Sequence, residues 1–238
     1  MTTLTRAPTV ADYQAAFDAE RVKDYPIVDA FETRMVFAID RAKLEAAARV
    51  LACPLKKSPP NWQHGRVLYA AARRYRSQRD GGICALDIGT AKGFSALCLR
   101  WALEDTDTVT SVDVIDPAKA VRRNTVAEVD GLLTLEQTIA PFELARDIEF
   151  FQSTGLDWLK VNDERINIAF IDGKHTGAVV AEEGHLLSKW QQAGDIAIFD
   201  DVHLDDVNRA VISLSDLYEL ETLRILPNRA YAIGVRRG

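Results

Sequence analysis

Two stretches of the chain end in residues able to do chemistry. Ile168-Ala-Phe-Ile-Asp-Gly-Lys-His175 and Ile196-Ala-Ile-Phe-Asp-Asp-Val-His203 each read as a short buried strand followed by carboxylates and a histidine. Neighbouring strands lie about 4.8 Å apart, so pairing of the two would bring Asp172, Asp200 and Asp201 into one small volume. Three ionised carboxylates so close repel one another, and the group needs a cation or partial protonation. An oxygen-rich set without cysteine suits Mg²⁺, or Mn²⁺ or Ca²⁺, rather than structural zinc. The same aspartates also suit plain capping, Asp172 of a turn and Asp200-Asp201 of a helix starting near Leu204.

A second feature lies upstream. Ile83-Cys-Ala-Leu-Asp-Ile-Gly-Thr-Ala-Lys-Gly-Phe-Ser95 reads as an apolar strand that turns through Gly89 and Gly93 into a helix running to about Leu103. Glycines at such a turn let backbone N–H groups approach a ligand closely, and the helix N-terminus favours polar or anionic groups. The spacing is not the Gly-x-Gly-x-x-Gly dinucleotide fingerprint, because Ala91 stands where a middle glycine would be. The next strand ends at Asp113, 24 residues after Gly89, where a carboxylate can accept hydrogen bonds from both hydroxyls of a ribose. Asp116 precedes Pro117 and reads as a helix N-cap instead.

These features need a scaffold. Candidate strands are Ile83–Asp87, Thr108–Asp113, Ile148–Gln152, Ile166–Asp172 and Asp195–Asp200, with helices Lys92–Leu103, Gly155–Val161 and Ala178–Gln191 between them. The connection from Pro117 to Asp147 is long enough for two helices. This alternation predicts an α/β fold, a mostly parallel sheet covered on both faces. Leu220–Leu226 and Ala230–Val235 close the chain as an antiparallel hairpin, because only Pro227-Asn-Arg229 separates them. Residues 9–52 read as helix with a break near Pro26, and another helix spans Asn61–Gln78 with Asn61 as its cap. The Pro-rich stretch 53–60 reads as a hinge between an N-terminal helical extension, residues 1–60, and a domain of residues 61–238.

The order Asp-x-Gly-x-x-x-Gly from Asp87 to Gly93 resembles the first motif of class I S-adenosylmethionine (SAM) methyltransferases. With the Phe-Ile-Asp-Gly-x-His and Phe-Asp-Asp phrases, the chain resembles metal-dependent O-methyltransferases, more closely the bacterial ones acting on antibiotic sugars than the catechol enzymes. The resemblance covers roughly residues 80 to 205 and leaves the first 60 outside it. It implies a Rossmann-like class I sheet ending in an antiparallel hairpin, SAM as cofactor, and a divalent cation, Mg²⁺ first. It implies cofactor contacts from Asp87, Gly89, Thr90, Ala91, Gly93, Phe94, Ser95, Asp113, Ser153 and Asp172. It assigns Asp172, Asp200 and Asp201 to the metal, and Asp172 with His175 to catalysis, His175 standing where relatives carry the base. Histidine, ordinarily titrating near neutrality, suits that task. Lys174 is a second candidate that more simply faces solvent, and His203 a further ligand or supporting group. Catechol enzymes carry lysine at the place of His175 and asparagine at that of Asp201, so a catechol acceptor is not implied.

Composition narrows the partners. The 238 residues are 47% hydrophobic and carry a net charge of −6, which fits one globular domain and offers no electrostatic footprint for nucleic acid. The basic run Arg73-Arg74-Tyr75-Arg76 reads as a solvated helix face. Cys53, Cys84 and Cys98 are odd in number and scattered, as expected of free thiols in a reducing cytoplasm. No apolar run reaches membrane-spanning length. The expected partner is a small hydroxylated acceptor, with no nucleic acid and no membrane, and the helical extension leaves a homodimer open. His64 and His185 fall within predicted helices, and Phe31, Met35, Trp62 and Tyr69 at helical spacing suit the core better than a pocket wall. Three rival readings use the same elements: a same-fold enzyme of other chemistry such as hydroxylation, a nicotinamide-dependent oxidoreductase, and a non-catalytic SAM-binding module.

Overall fold

The computed structural model describes residues 9–52, 60–121 and 131–238. Seven strands form one sheet: β1 (Cys84–Ile88), β2 (Thr108–Asp113), β3 (Ile148–Gln152), β4 (Ile168–Ile171), β5 (Ile196–Phe199), β6 (Tyr218–Leu226) and β7 (Arg229–Arg236). Their order is β3-β2-β1-β4-β5-β7-β6. The first five run parallel, while β7 pairs antiparallel with both β5 and β6. The alternating pattern and the short terminal turn therefore produce the sheet that the sequence predicts. The chain leaves β1 toward β2 and β3, then returns to lay β4 on the other side of β1. That reversal opens a crevice beyond the carboxyl ends of β1 and β4, where ligands of such sheets bind.

Period-two alternation splits the sheet residues between two cores. Ala85, Val109, Ile168, Phe170 and Ile198 face one side, packed with helices α1 (Val10–Arg21), α2 (Pro26–Met35), α3 (Arg41–Leu51), α4 (Gln63–Arg76) and α5 (Phe94–Ala102). Leu86, Ile88, Val112, Ile171 and Phe199 face the other, against α7 (Gly155–Val161), α8 (Gly177–Trp190) and α9 (Asp205–Ile212). The first core runs without interruption from Phe17 and Phe31 through Leu68 and Leu97 to Phe170.

The N-terminal helical region breaks twice, not once. Pro26 opens α2, which needs no amide donor at its first position. Val36 then ends that helix in the left-handed conformation (φ 64°), and the Asp40 side chain caps α3 by accepting from the Lys43 N–H at 2.8 Å. Asn61 accepts from the Gln63 N–H at 2.8 Å, although α4 itself begins one residue after Trp62. Between Pro117 and Asp147, the described part holds α6 (Leu135–Ile139) and one 3₁₀ turn, Ala145–Asp147, while residues 122–130 lie outside the described residues. Asp116 caps a turn, not a helix, accepting from the Ala118 N–H at 2.8 Å. The basic run of α4 is not a wholly solvated face either. Arg76 is buried and its guanidinium meets Asp107 and Glu104, each at 2.8 Å. Cys84 and Cys98 are free thiols, and Cys53 and the hinge 53–59 fall outside the described residues. Among the described residues, no helix is long and apolar enough to cross a membrane.

Candidate functional site

The crevice at the strand reversal is a cleft of about 860 Å³. One end is built by β1 and β2. Gly89 leaves β1 at φ +104°, and its N–H donates to the Val112 carbonyl at 2.9 Å, tying the turn to β2. Ala91 (φ 46°) and Gly93 (φ +86°) complete a left-handed path that starts α5. Asp113 is locked at the end of β2, its two oxygens accepting from the Ala91 N–H at 2.8 Å and the Ile115 N–H at 2.9 Å. Gly89, Ala91, Asp113 and Ser153 all line the cleft.

Other motif residues lie beneath this surface. Asp87 is fully buried and accepts from the Ser111 hydroxyl at 2.6 Å, with Ser95 as a second donor. Burial pushes its carboxyl up to about 6 despite those hydrogen bonds. Thr90 shares a 2.7 Å hydrogen bond with Ser111, Gly93 faces Ile139, and Phe94 is buried in the core. The five residues Asp87, Thr90, Gly93, Phe94 and Ser95 support the loop without lining the cleft.

The opposite end is acidic. Strands β4 and β5 are neighbours, with Ile171 opposite Phe199, so Asp172 and Asp200 leave the sheet side by side. Asp201 follows in the left-handed conformation (φ 55°), an uncommon state for a residue with a side chain, and donates its N–H to Asp200 Oδ1 at 2.6 Å. His175 Nδ1 lies 3.0 Å from Asp201 Oδ2 and 3.8 Å from Asp172 Oδ1. One ligand atom each from Asp172, His175 and Asp201 falls within 4.8 Å of the others. Asp200 is buried beside Asp172 and lines the same cleft, although it is not one of the three. Burial and the neighbouring carboxylates of Asp200 and Asp201 push Asp172 well above the carboxylate range, and burial with Asp201 pushes Asp200 to about 7. These are the electrostatics of an anionic cluster short of positive charge, and its oxygen-rich carboxylate set, with the His175 imidazole beside it, fits a hard divalent cation.

Sequence reasoning missed the cluster's own counter-charge. Arg229, the first residue of β7, places Nη1 3.2 Å from Asp201 Oδ1 and 3.7 Å from Asp200 Oδ2. His203 Nδ1 sits 3.7 Å from Asp201 Oδ1, and burial lowers its pKa. Asn61, His64 and Asn228 also border the cleft. His64 lies against the buried Phe94 and Phe170 with ring centroids 5.0 and 6.1 Å away, and it lines the cleft itself. His185 is exposed on α8, and Lys174 lies on the cleft wall. Phe31 and Trp62 are core residues, Met35 and Tyr69 pack against that core, and none of the four lines the cleft.

Comparisons with known proteins agree with this layout. Residues 86–202 match a family model described as a methyltransferase domain. Among solved structures, the chain is similar to the O-methyltransferase TomG of Streptomyces achromogenes, a tomaymycin-synthesis protein in complex with SAM. That match has 16% identity and a TM-score of 0.60, over 84% of this chain and 92% of the other. It is similar also to an O-methyltransferase from Bacillus cereus in complex with SAH, at 15% identity and a TM-score of 0.55, over 95% of this chain and 97% of that one. No curated protein matches. Residues 86–202 are similar to a methyltransferase domain, and the chain has the fold of class I SAM-dependent methyltransferases, resembling the bacterial O-methyltransferases.

Proposed function

We propose that the protein transfers the methyl group of SAM to a hydroxyl of a small molecule, assisted by a divalent cation. One observation carries this reading: a nucleoside-type end (Gly89, Ala91, Asp113) and an acid–histidine end (Asp172, His175, Asp201) open into the same cleft. When bound, SAM supplies a methyl group already electrophilic on sulfur, so no protein nucleophile is required. The chain's task is to hold the two reactants and move one proton.

Asp113 accepts from the ribose hydroxyls, Gly89 and Ala91 bring backbone to the cofactor, and Ser153 borders its base. Asp87, Thr90, Gly93, Phe94 and Ser95 hold that loop from below. At the other end His175 takes the proton from the acceptor hydroxyl. Asp201, 3.0 Å from Nδ1, accepts the N–H of that nitrogen and leaves Nε2 free as the base. Asp172, Asp200 and Asp201 would hold the cation, which would lower the pKa of the acceptor hydroxyl. The described N-terminal helices, residues 9–52, would serve as a helical extension beside the cofactor-binding domain at 61–238, a reading supported by Ala52, which lines the cleft. The acceptor is a small molecule and not nucleic acid, in keeping with the net charge of −6.

The test is methyl transfer from labelled SAM to a panel of hydroxylated small molecules, with Mg²⁺ and with EDTA. The proposal expects product that EDTA diminishes and that His175→Ala cuts by about 10²–10⁴-fold in kcat. Full activity of His175→Ala would overturn the assignment of the base.

A further inference from the structure

One buried group beside the acidic end has no part in the chemistry above. Tyr231 lies within β7 and is only 1% exposed, its ring part of the first core. Phe199 of β5 pairs with Ala232 of β7, so the next residues along, Asp200 and Tyr231, stand opposite each other. Opposed residues of an antiparallel pair point to the same face, with Cβ atoms about 4.5–5.5 Å apart. The strands stay joined past this point, because the Val202 N–H donates to the Ala230 carbonyl at 3.2 Å. Ala230 and Ala232 face the second core, which turns Tyr231 to the other side with Phe170 and Ile198. Asp172 and Asp200 each follow a residue of the second core, Ile171 and Phe199, and leave the sheet on that same side. Asp172, Asp200 and Tyr231 therefore form a row across β4, β5 and β7.

The Tyr231 hydroxyl has no hydrogen-bond partner among the described residues. A buried O–H left so costs stability, and phenylalanine would fill the same space without it. The charges that act on this hydroxyl are those of the acidic end. Burial first, and then the Asp200 carboxylate, with Asp172 and Asp201 behind it and Arg229 opposing, push its pKa well above the ordinary phenol value. The group is therefore held as an O–H donor, and a donor needs an acceptor. Asp200 is the acceptor opposite it. Its Oδ1 accepts from the Asp201 N–H at 2.6 Å, and its Oδ2 lies 3.7 Å from Arg229 Nη1, beyond hydrogen-bond reach. An ionised carboxylate accepts at about four lone-pair sites, so Asp200 has room for the phenol as well as for a ligand.

On the reading that the acidic end holds a divalent cation, we propose that Tyr231 is a positioning residue, its O–H donating to the Asp200 carboxylate and holding it as a ligand in the loaded site. The hydroxyl then serves the loaded site and not the fold.

Calorimetric titration of the full chain with Mg²⁺, beside thermal melts in EDTA, tests this on Tyr231→Phe and on Tyr218→Phe. Tyr218 is the contrast, a fully buried phenol of β6 whose O–H donates to Gln191 Oε1 at 2.8 Å. Tyr231→Phe is expected to melt in EDTA where the unmodified protein does, or up to about 4 °C higher. It is expected to bind Mg²⁺ about 10–100-fold more weakly, the loss of one hydrogen bond to a charged group. Tyr218→Phe is expected to do the reverse, melting about 2–6 °C lower with its Mg²⁺ affinity unchanged. Mg²⁺ affinity in Tyr231→Phe equal to that of the unmodified protein overturns the proposal. So does a melting temperature in EDTA that falls as far as that of Tyr218→Phe, since the hydroxyl would then serve the fold. Failure of the unmodified protein to take up Mg²⁺ overturns the cation reading itself, and this assignment with it.

Discussion

Gly89→Ala is the sharpest single perturbation, because its cost has two separable parts. Gly89 lies at φ +104°, a conformation that L side chains rarely adopt, and leaving glycine there costs roughly 1–2 kcal/mol. A Cβ would also collide with the Asp172 carbonyl oxygen and lie 2.7 Å from its carbon and 3.1 Å from the Gly173 nitrogen. These are backbone atoms, so no side-chain rotation relieves the contact, and overpacking of this kind adds about 1–3 kcal/mol. The sum is about 2–5 kcal/mol, a fall in Tm of roughly 5–20 °C for a domain of this size. Gly81→Ala isolates the first part, since Gly81 has φ +83° and nothing within 4 Å of the added carbon. It should lower Tm by only about 2–8 °C. The displaced backbone carries Asp172, so Gly89→Ala should lose S-adenosylhomocysteine and Mg²⁺ binding together, whereas Gly81→Ala keeps both. Thermal melts and calorimetry on the two variants decide the matter. A Gly89→Ala protein that melts like Gly81→Ala and binds both ligands would refute the claim that the β1 turn and the β4 end form one site.

Two further outcomes follow from buried charge. Asp87 titrates near 6 in the fold against 3.8 when unburied, so the unfolded chain gives up its proton first and this residue's contribution falls as pH rises through that window. Asp87→Asn should therefore gain stability relative to the unmodified protein by up to about 3 kcal/mol between pH 4 and 7; denaturant midpoints that stay parallel across that range would contradict it. Arg229→Gln removes the guanidinium 3.2 Å from Asp201 and 3.7 Å from Asp200. Its Tm without metal should fall and its rise on adding Mg²⁺ should exceed that of the unmodified protein, and an equal rise in both would show that Arg229 does not balance the cluster.

The sequence announces local geometry better than it announces neighbours brought in from afar. The β1 turn is legible because glycines at 89 and 93 answer a backbone demand within five residues. The meeting of Asp172 with Asp200 and Asp201 is legible because two strand-like runs in alternating order pair in one parallel register. Arg229 has no such signal: it reads as part of a hairpin turn, and only the antiparallel placement of β7 beside β5 carries it to Asp201. Glu183 sits in an amphipathic helix beside the exposed, Lys160-paired Glu182, and nothing local tells the buried acid from the solvated one. Arg76 reads as one of a basic run, and its burial depends on Asp107 arriving from the loop before β2. The second break in the N-terminal helices turns on Val36 adopting φ 64°, a state that its β-branched side chain argues against.

The central claim is that the cleft binds SAM through the Gly89–Asp113 end. The most direct measurement is calorimetric titration of the purified protein with S-adenosylhomocysteine, in Mg²⁺ and in EDTA, beside NADH and beside Asp113→Ala. The account predicts one S-adenosylhomocysteine per chain, no uptake of NADH, and affinity lowered about 10–100-fold in Asp113→Ala. Preference for NADH, or no binding of S-adenosylhomocysteine in either buffer, would contradict it.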